Sequence, residues 1–199
     1  FRGANEADLL LTAKQQGAQL CACTEPVFSK LSYRDLPDGL LAIAPKVSHK
    51  LIDIKPLHNS IILVAESIEK PGNLGTMMRS ADAAGAHVVI VCDGCTDINN
   101  PNVVRSSVGT LFSLPIIDAS TEDVLKWLKK HNITTIAASP NAELVYTDCD
   151  FTGKIAFVVG AEQYGLSEPW YRAAHYIVKI PMIGQVDSLN VANAATLLL

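Results

Sequence analysis

Residues 60–85 read SIILVAESIEKPGNLGTMMRSADAAG, and this stretch predicts the fold of the chain. Residues 60–66 form an aliphatic run with polar residues only at its two ends, which predicts a strand buried on both faces. Residues 75–84 are mostly small and apolar and stop at Gly85, which predicts a helix. A buried strand that leads into a helix is the repeating unit of a parallel sheet with helices on both faces.

The same alternation continues to the end of the chain, so the predicted fold class is α/β. Further strands are predicted at residues 87–92, 113–117, 134–138, 154–159 and 176–180. Helices are predicted at residues 121–131, 167–174 and 189–198, with a helix or turn at 102–110. Ligands bind to such sheets at the carboxyl ends of the strands. The expected site is therefore formed by the loops after Glu66, Ala138, Val159 and Ile180.

Residues 1–58 predict a smaller unit and a connection. Helices at 5–16 and 25–31 and strands at 18–24 and 40–44 indicate a small α/β domain over residues 1–45. Residues 46–58, with scattered apolar positions and a proline at 56, are predicted to be a linker. The large sheet then occupies residues 59–199. Because the chain starts at Phe1 and stops within an apolar, alanine-rich run, we expect both ends to be cut from a longer protein.

The composition argues against several classes of protein. No apolar run reaches the ~18 residues that a membrane span needs, so no membrane association is expected. Five cysteines are an odd number in a chain of 199 residues, which argues against a disulfide framework and favours a cytoplasmic protein. Cys92 and Cys95 have the spacing of a zinc or redox pair. Without a second such pair, the favoured interpretation is a buried strand end that binds no metal.

The formal net charge of −4 argues weakly against nucleic-acid binding, because phosphate affinity comes mainly from Lys and Arg. A local basic surface is still compatible with an acidic chain. The run of Lys126, Lys129, Lys130 and His131 is one such surface, although a solvated helix end explains it equally well. Charge alone therefore leaves RNA binding open.

Residues 70–80, KPGNLGTMMRS, contain the first candidate site residues. They include neither the G-x-G-x-x-G of a dinucleotide site nor a phosphate loop. A helix start explains Asn73 as a cap and Gly75 as a tight turn. It does not explain Arg79, because an Arg on a helix so poor in charge usually has an anionic partner.

Two later segments add polar residues after predicted strands. In residues 159–167, VGAEQYGLS, the carboxylate of Glu162 follows a buried strand. In residues 180–195, IPMIGQVDSLNVANAA, Asn190 and Asn193 lie inside the predicted helix, where Asn is unfavourable. We therefore expect both Asn side chains to hydrogen-bond to groups other than their own backbone.

Together, the three segments resemble the three motifs of the SpoU branch of the SPOUT RNA methyltransferases. The matching patterns are Asn73-x-Gly75-x3-Arg79, Gly160-x-Glu162-x2-Gly165 and Ser188-Leu189-Asn190-Val191. Residues 105–112, RSSVGTLF, fit a segment that the family carries between these motifs. The resemblance covers about residues 60–199. Residues 1–45 resemble, more weakly, the ribosomal-protein-like substrate-binding domain of the family.

The resemblance implies a SPOUT fold, whose C-terminal segment threads through a loop to form a deep trefoil knot. It implies S-adenosyl-L-methionine as the cofactor, bent within the knot and held mainly by backbone groups. The matching cofactor positions are Ala138, Ser139, Gly160, Ile180 and Leu189. It also implies a homodimer with the active site at the interface, so that one site draws residues from two chains.

The implied reaction is methylation of a ribose 2′-hydroxyl in RNA, with ribosomal RNA favoured by the N-terminal unit. The hydroxyl must be held in line with the methyl group and deprotonated. The implied catalytic residues are Arg79 as general base or electrostatic activator, Asn73 and Glu162 as orienting groups, and Ser188 and Asn190 as groups that hold cofactor and substrate. The reaction needs no metal. Family members often have an acidic residue where this chain has Lys70, which changes the charge beside the site.

Three other interpretations stay open. The substrate could be transfer RNA, with the same chemistry. The chain could be a catalytically silent RNA-binding or ribosome-assembly protein, although all five implied catalytic residues are intact. It could also be a generic nucleotide-binding domain, against which the missing phosphate-loop motifs argue.

Overall fold

A computed structural model describes residues 4–33, 39–94 and 96–199. The chain divides into two compact units, Phe1–Pro45 and Lys46–Leu199.

The described part of the first unit contains two helices, α1 (Ala4–Gln15) and α2 (Glu25–Leu31). The strands predicted at residues 18–24 and 40–44 are wrong, because both segments are irregular and exposed. A strand persists only where a neighbour satisfies its N–H and C=O groups, and no such neighbour lies within this unit's described residues. For those residues, the prediction of a small α/β domain is therefore wrong.

Seven parallel strands form the centre of the second unit. They are β1 (Ile61–Glu66), β2 (Val88–Cys92), β3 (Ile116–Ala119), β4 (Thr134–Ala138), β5 (Leu144–Val145), β6 (Ile155–Val159) and β7 (Tyr176–Lys179). They pair in the order β3-β2-β1-β6-β4-β7-β5. Every residue of β2 and β6 is buried, as expected of strands covered on both faces. The predicted parallel sheet is confirmed.

Helices cover both faces of this sheet, which confirms the predicted α/β layering. They are α3 (Pro71–Ala83), α4 (Pro101–Ser106), α5 (Thr121–Lys130), α6 (Glu168–Ala173) and α7 (Val191–Leu198). Helices α3, α4 and α7 pack on one face, where β1 contributes Leu63 and Ala65. Helices α5 and α6 pack on the other face, where β1 contributes Ile62 and Val64. The alternation along β1 follows the two-residue period of a strand.

Several predicted boundaries shift in the structure. Helix α3 begins at Pro71, because proline's fixed φ suits the first helical position, so Asn73 lies in the first turn and is not the cap. Helix α7 begins at Val191 with Asn190 as its N-cap, so the prediction that Asn190 lies inside the helix is wrong. Strand β3 occupies Ile116–Ala119 instead of residues 113–117, and the short strand β5 was not predicted.

Residues 46–58, the predicted linker, make specific contacts with the rest of the second unit. The Val47 N–H donates to Asn99 Oδ1 at 2.9 Å, and the Val47 carbonyl accepts from Asn99 Nδ2 at 3.1 Å. Leu51 and Ile54 pack against the core on the α5 side of the sheet. These contacts place the segment against the sheet.

The cysteine pair is described only in part. Cys92 ends β2 and is buried, and burial raises the pKa of its thiol. Cys95 lies outside the described residues. Within the described ranges, no three metal-ligating side chains gather in one place. No described helix has the length and apolar character that a membrane crossing requires.

Gly75 allows α3 and α4 to touch, and this contact gives a prediction on stability. A Cβ at position 75 would lie 2.0 Å from Ser106 Oγ and 2.7 Å from the Ser106 backbone carbon. Overpacking of this kind costs about 1–3 kcal/mol. We expect Gly75→Ala to lower the free energy of unfolding by about 2 kcal/mol, measured by urea denaturation.

Gly72→Ala is the matched control in the same helix. A Cβ at position 72 would meet nothing within 4 Å, so stability should stay within about 0.5 kcal/mol of the original or rise slightly. Equal stabilities of the two variants would show that the α3–α4 contact adjusts freely.

Candidate functional site

The loops after β4, β6 and β7 enclose a cavity of about 290 Å³ at the carboxyl edge of the sheet. All five predicted cofactor positions line it: Ala138, Ser139, Gly160, Ile180 and Leu189. Of the predicted catalytic residues, Glu162 and the exposed Ser188 also line it. The structure therefore gathers the residues of three separate loops around one space, as expected for a parallel sheet.

Gly160 shapes one wall of this cavity. A Cβ at this position would lie 2.3 Å from the Gly165 carbonyl oxygen and 2.6 Å from the Leu166 nitrogen. Gly165 itself has a φ of +67°, in the left-handed region that favours glycine. Its N–H donates to the Ala161 carbonyl at 2.9 Å and closes the turn. The wall therefore depends on the absence of a side chain at position 160.

Glu162 joins polar residues from all three predicted segments; we name Glu162, Asn73, Asn190 and Lys70 the Glu162 cluster. Glu162 Oε1 accepts from Asn73 Nδ2 at 2.8 Å and from Asn190 Nδ2 at 2.7 Å. Glu162 Oε2 accepts from Lys70 Nζ at 2.6 Å. Asn190 Nδ2 also lies 3.2 Å from Asn73 Oδ1. Three predicted catalytic residues thus meet in one hydrogen-bonded group.

The surroundings of Glu162 stabilise its negative charge. The hydrogen bond from Lys70 is the largest cause that lowers the pKa of Glu162, and bonds from Asn73 and the Val191 backbone N–H act in the same direction, while burial opposes them. Asn73 and Val191 lie in the first turns of α3 and α7, whose N-terminal dipoles also favour an anion. In return, the hydrogen bond to Glu162 raises the pKa of Lys70. At neutral pH, Glu162 is therefore ionised and accepts hydrogen bonds without donating any.

The two Asn residues of the last segment differ. Asn190 Oδ1 accepts from the Ala192 N–H at 3.0 Å and caps α7, while its Nδ2 reaches Glu162 and Asn73. Its amide therefore bonds both its own helix and the cluster. Asn193 is exposed, and no side-chain hydrogen bond joins it to any described residue. The expectation of an outside partner applies to Asn190 and not to Asn193.

Arg79 lies apart from the Glu162 cluster. A helix rises about 9 Å and turns about 240° over the six residues from Asn73 to Arg79, so the two side chains leave α3 in different directions. Arg79 is exposed and lines a groove with Ser80, Val108 and Thr196. Within the described ranges it forms no ion pair and no hydrogen bond. Its expected anionic partner is therefore not among the described residues of the same chain.

Two residues beside the site were missed as site residues by sequence reasoning. One is Lys70, noted only as a departure from a pattern. The other is Glu66, buried at the end of β1, which accepts from Thr121 Oγ1 at 3.2 Å, the Ser167 N–H at 2.7 Å and Ser167 Oγ at 2.5 Å. Glu66 thereby connects the end of β1 to Ser167, at the end of the loop that begins with Gly160. Its one sequence signal is a carboxylate directly after an apolar strand.

Comparisons with known proteins agree with this geometry. The family model of the SpoU rRNA Methylase family matches residues 60–199. The 23S rRNA (uridine(2479)-2'-O)-methyltransferase of Streptomyces viridochromogenes is 34% identical over 171 residues, which cover 83% of this chain and 60% of that protein. The 23S rRNA (guanosine(2553)-2'-O)-methyltransferase of Bacillus subtilis is 28% identical over 184 residues, which cover 92% of this chain and 72% of that protein.

A solved structure shares the fold. The AdoMet-bound rRNA methyltransferase from Sinorhizobium meliloti superposes with a TM-score of 0.83 and 32% identity, over 88% of this chain and 67% of that one. The chain spans about three fifths of the length of the Streptomyces relative. The resemblance inferred from the three motifs is confirmed: this chain belongs to the SpoU rRNA methylase family.

Proposed function

We propose that this chain is an enzyme that transfers a methyl group from S-adenosyl-L-methionine to a ribose 2′-hydroxyl in RNA, with ribosomal RNA as the substrate. The observation that carries the proposal is the Glu162 cluster, which joins residues of all three motifs beside a cavity lined by the five predicted cofactor positions. The Streptomyces and Bacillus relatives, both named as 23S rRNA 2′-O-methyltransferases, support ribosomal RNA.

The cavity suits the proposed cofactor. Val159, Val178 and Leu189 give it apolar walls for a flat base, and the loop after Gly160 offers backbone groups for polar edges. Gly160 lets the loop pack against the backbone of Gly165 and Leu166, where a Cβ would collide, and this packing fixes the main chain at the cavity wall. Ala138, Ser139, Gly160, Ile180 and Leu189 would hold it. When bound, S-adenosyl-L-methionine supplies an activated methyl group on its sulfonium.

The protein's own residues have to position and activate the hydroxyl. The Glu162 cluster fixes the amide of Asn73, whose second N–H is left to bind the ribose, and Ser188 lines the cavity proposed for the cofactor. A guanidinium group is a poor general base, and this applies to Arg79. Its role is therefore to stabilise the developing alkoxide or to couple proton transfer to an RNA phosphate.

In the proposed homodimer, Arg79 lies at an active site. Arg79 is exposed without a partner in the described part of its own chain and lies in a groove beside Val108. Val108 is 73% exposed and has a φ of 50°, which a β-branched residue rarely adopts, and Phe112 nearby in sequence is 64% exposed. An apolar, strained and unpartnered surface of this kind favours contact with a second copy. In that dimer, Arg79 faces the Glu162 cluster of the partner subunit.

The finer features of the family complete the proposal. The segment from β7 to α7, which returns to the cavity and to α3, is proposed to thread a deep trefoil knot. Residues 1–45 are proposed to be part of an RNA substrate-binding domain, and the protein to act in the cytoplasm. Family membership over residues 60–199 supports the knot.

Methyl transfer tests this function directly. The protein is incubated with methyl-labelled S-adenosyl-L-methionine and either 23S ribosomal RNA or total transfer RNA, and labelled nucleosides are identified by mass spectrometry. We expect 2′-O-methylated nucleosides from ribosomal RNA. If only transfer RNA is labelled, the proposed substrate changes to transfer RNA. A folded protein that binds no cofactor and labels neither RNA would favour a silent RNA-binding relative.

A further inference from the structure

Lys70 occupies a position for which the reaction described above gives no role. It is the residue before α3, and its side chain is 67% exposed, yet its ammonium lies 2.6 Å from Glu162 Oε2. Pro71 restricts the backbone before it to an extended conformation, seen as φ −89° and ψ 117°. The lysine is therefore aimed across the start of α3 toward the loop after β6.

The ion pair stands at the boundary between two spaces. A second cavity of about 180 Å³ adjoins the larger one and shares Ala161, Glu162, Gln163 and Val191 with it. Lys70 and Asn73 line only the second cavity, whereas Glu162 lines both. To reach the cofactor, the substrate hydroxyl has to approach this shared wall. The orientation of Glu162 therefore affects the position of both the ribose and the cofactor.

The hydrogen-bond arrangement gives Lys70 a specific effect. An ionised carboxylate only accepts, and Glu162 Oε1 already serves the two amides of Asn73 and Asn190. Lys70 is the one described side chain bound to Oε2. Without it, Oε2 loses its side-chain donor, and the donors that remain hold the carboxylate less firmly about its terminal torsion, so the two amides have a less fixed acceptor.

We infer that Lys70 is a positioning residue, which holds the Glu162 carboxylate in the orientation that orders the Asn73 and Asn190 amides and directs the remaining Asn73 N–H toward the acceptor ribose. The inference rests on the proposed function. The pKa changes of the pair agree with it, because Lys70 favours the ionised form of Glu162. The other titratable residues that line the two cavities are Glu69, Asp187, Tyr164 and Tyr171.

The test compares Lys70→Met, Lys70→Arg and Lys46→Met. Lys46→Met is the matched control, because Lys46 is 74% exposed, pairs with Asp97 at 3.0 Å and lines neither cavity. The first readout is the pKa of Glu162, measured in the protein alone by carbon NMR of the carboxyl group. The NMR signal is assigned by its absence in Glu162→Gln. The second is kcat and KM for RNA between about pH 3 and 8, a window that includes the ordinary titration range of a glutamate.

Lys70→Met should raise the pKa of Glu162, because it removes the main cause of the lowering. The acid limb of the kcat profile should move to higher pH, and kcat at neutral pH should fall roughly two- to fivefold, as suits an exposed pair. KM for RNA should change less than about twofold, and Lys70→Arg should restore most of the loss. Lys46→Met should leave both readouts unchanged.

Two results would overturn the inference. One is an unchanged pKa of Glu162 in Lys70→Met. The other is a raised KM for RNA with an unchanged kcat, which would assign Lys70 to an RNA phosphate. A wild-type protein that methylates no RNA would contradict the proposed function instead, while the NMR measurement would still decide the role of Lys70.

Discussion

Replacement of Arg79 by alanine should reduce methyl transfer to RNA about 10²- to 10³-fold, the cost of losing one preorganised group that stabilises a developing charge. Cofactor affinity should stay the same, because Arg79 lines a groove beside α3 and does not line the larger cavity. The measurements are kcat with methyl-labelled S-adenosyl-L-methionine and calorimetric titration of the cofactor.

Arg172→Ala is the control for a lost surface arginine. Arg172 is exposed on α6 and pairs with Glu168 at 2.9 Å within one helical turn, so its loss should change kcat less than about twofold. Equal activity of Arg79→Ala and Arg172→Ala would remove Arg79 from the catalytic residues. Lost cofactor affinity in Arg79→Ala would place it in binding.

Mixing two inactive variants tests whether Arg79 acts across a dimer. Arg79→Ala and Glu162→Ala are each expected to be inactive, because each removes one half of the proposed site. After subunit exchange, each mixed dimer has one site with both residues intact, so about a quarter of the original activity should return. If Arg79 acts within its own chain, no site is repaired and the mixture stays inactive.

Gly160→Ala should weaken the binding of S-adenosyl-L-methionine by about tenfold or more. The new Cβ would lie 2.3 Å from the Gly165 carbonyl oxygen, and backbone has less freedom to move away than the end of a side chain. The loop of residues 160–166 must then shift by enough to change a cavity wall, at a cost of about 1–3 kcal/mol. A loss of 1.4 kcal/mol in binding corresponds to about tenfold in Kd, which calorimetric titration resolves.

Gly184→Ala is the matched glycine control. It lies in the loop between β7 and α7, and a Cβ there would meet nothing within 4 Å. Its cofactor affinity should therefore match the original protein, with circular dichroism to verify that both variants are folded. Equal, undiminished affinity in both variants would mean that the wall at position 160 is not part of the cofactor site.

The layers of the second unit were predictable because each buried strand is a continuous apolar run. Residues 62–65 are fully buried, and no polar side chain interrupts them. The predicted strands at 18–24 and 40–44 failed because local pattern does not reveal whether a pairing partner exists. The start of α3 was missed because Asn73 was interpreted as a cap and Gly75 as a tight turn, whereas Pro71 fits the first helical position.

The proximity of some candidate residues was predictable, but their geometry was not. The resemblance to the family motifs brought Asn73, Glu162 and Asn190 into one prediction, and these three residues lie in one cluster. The bond between Lys70 and Glu162 joins residues 92 positions apart, and no local pattern predicts such a contact. The direction of Arg79 depends on where α3 begins and how it rotates, so the side chain expected beside Glu162 points elsewhere.

The strand order has a consequence for when the protein becomes functional. Strand β4 pairs only with β6 and β7, so it can pair only after these later strands have been synthesised. Asn73 can bond to Asn190 only after a further 117 residues have been synthesised. Contacts of such long sequence separation form slowly and late. A growing chain therefore completes the Glu162 cluster only after Asn190 has been made, which separates synthesis of the first motif from assembly of the site in time.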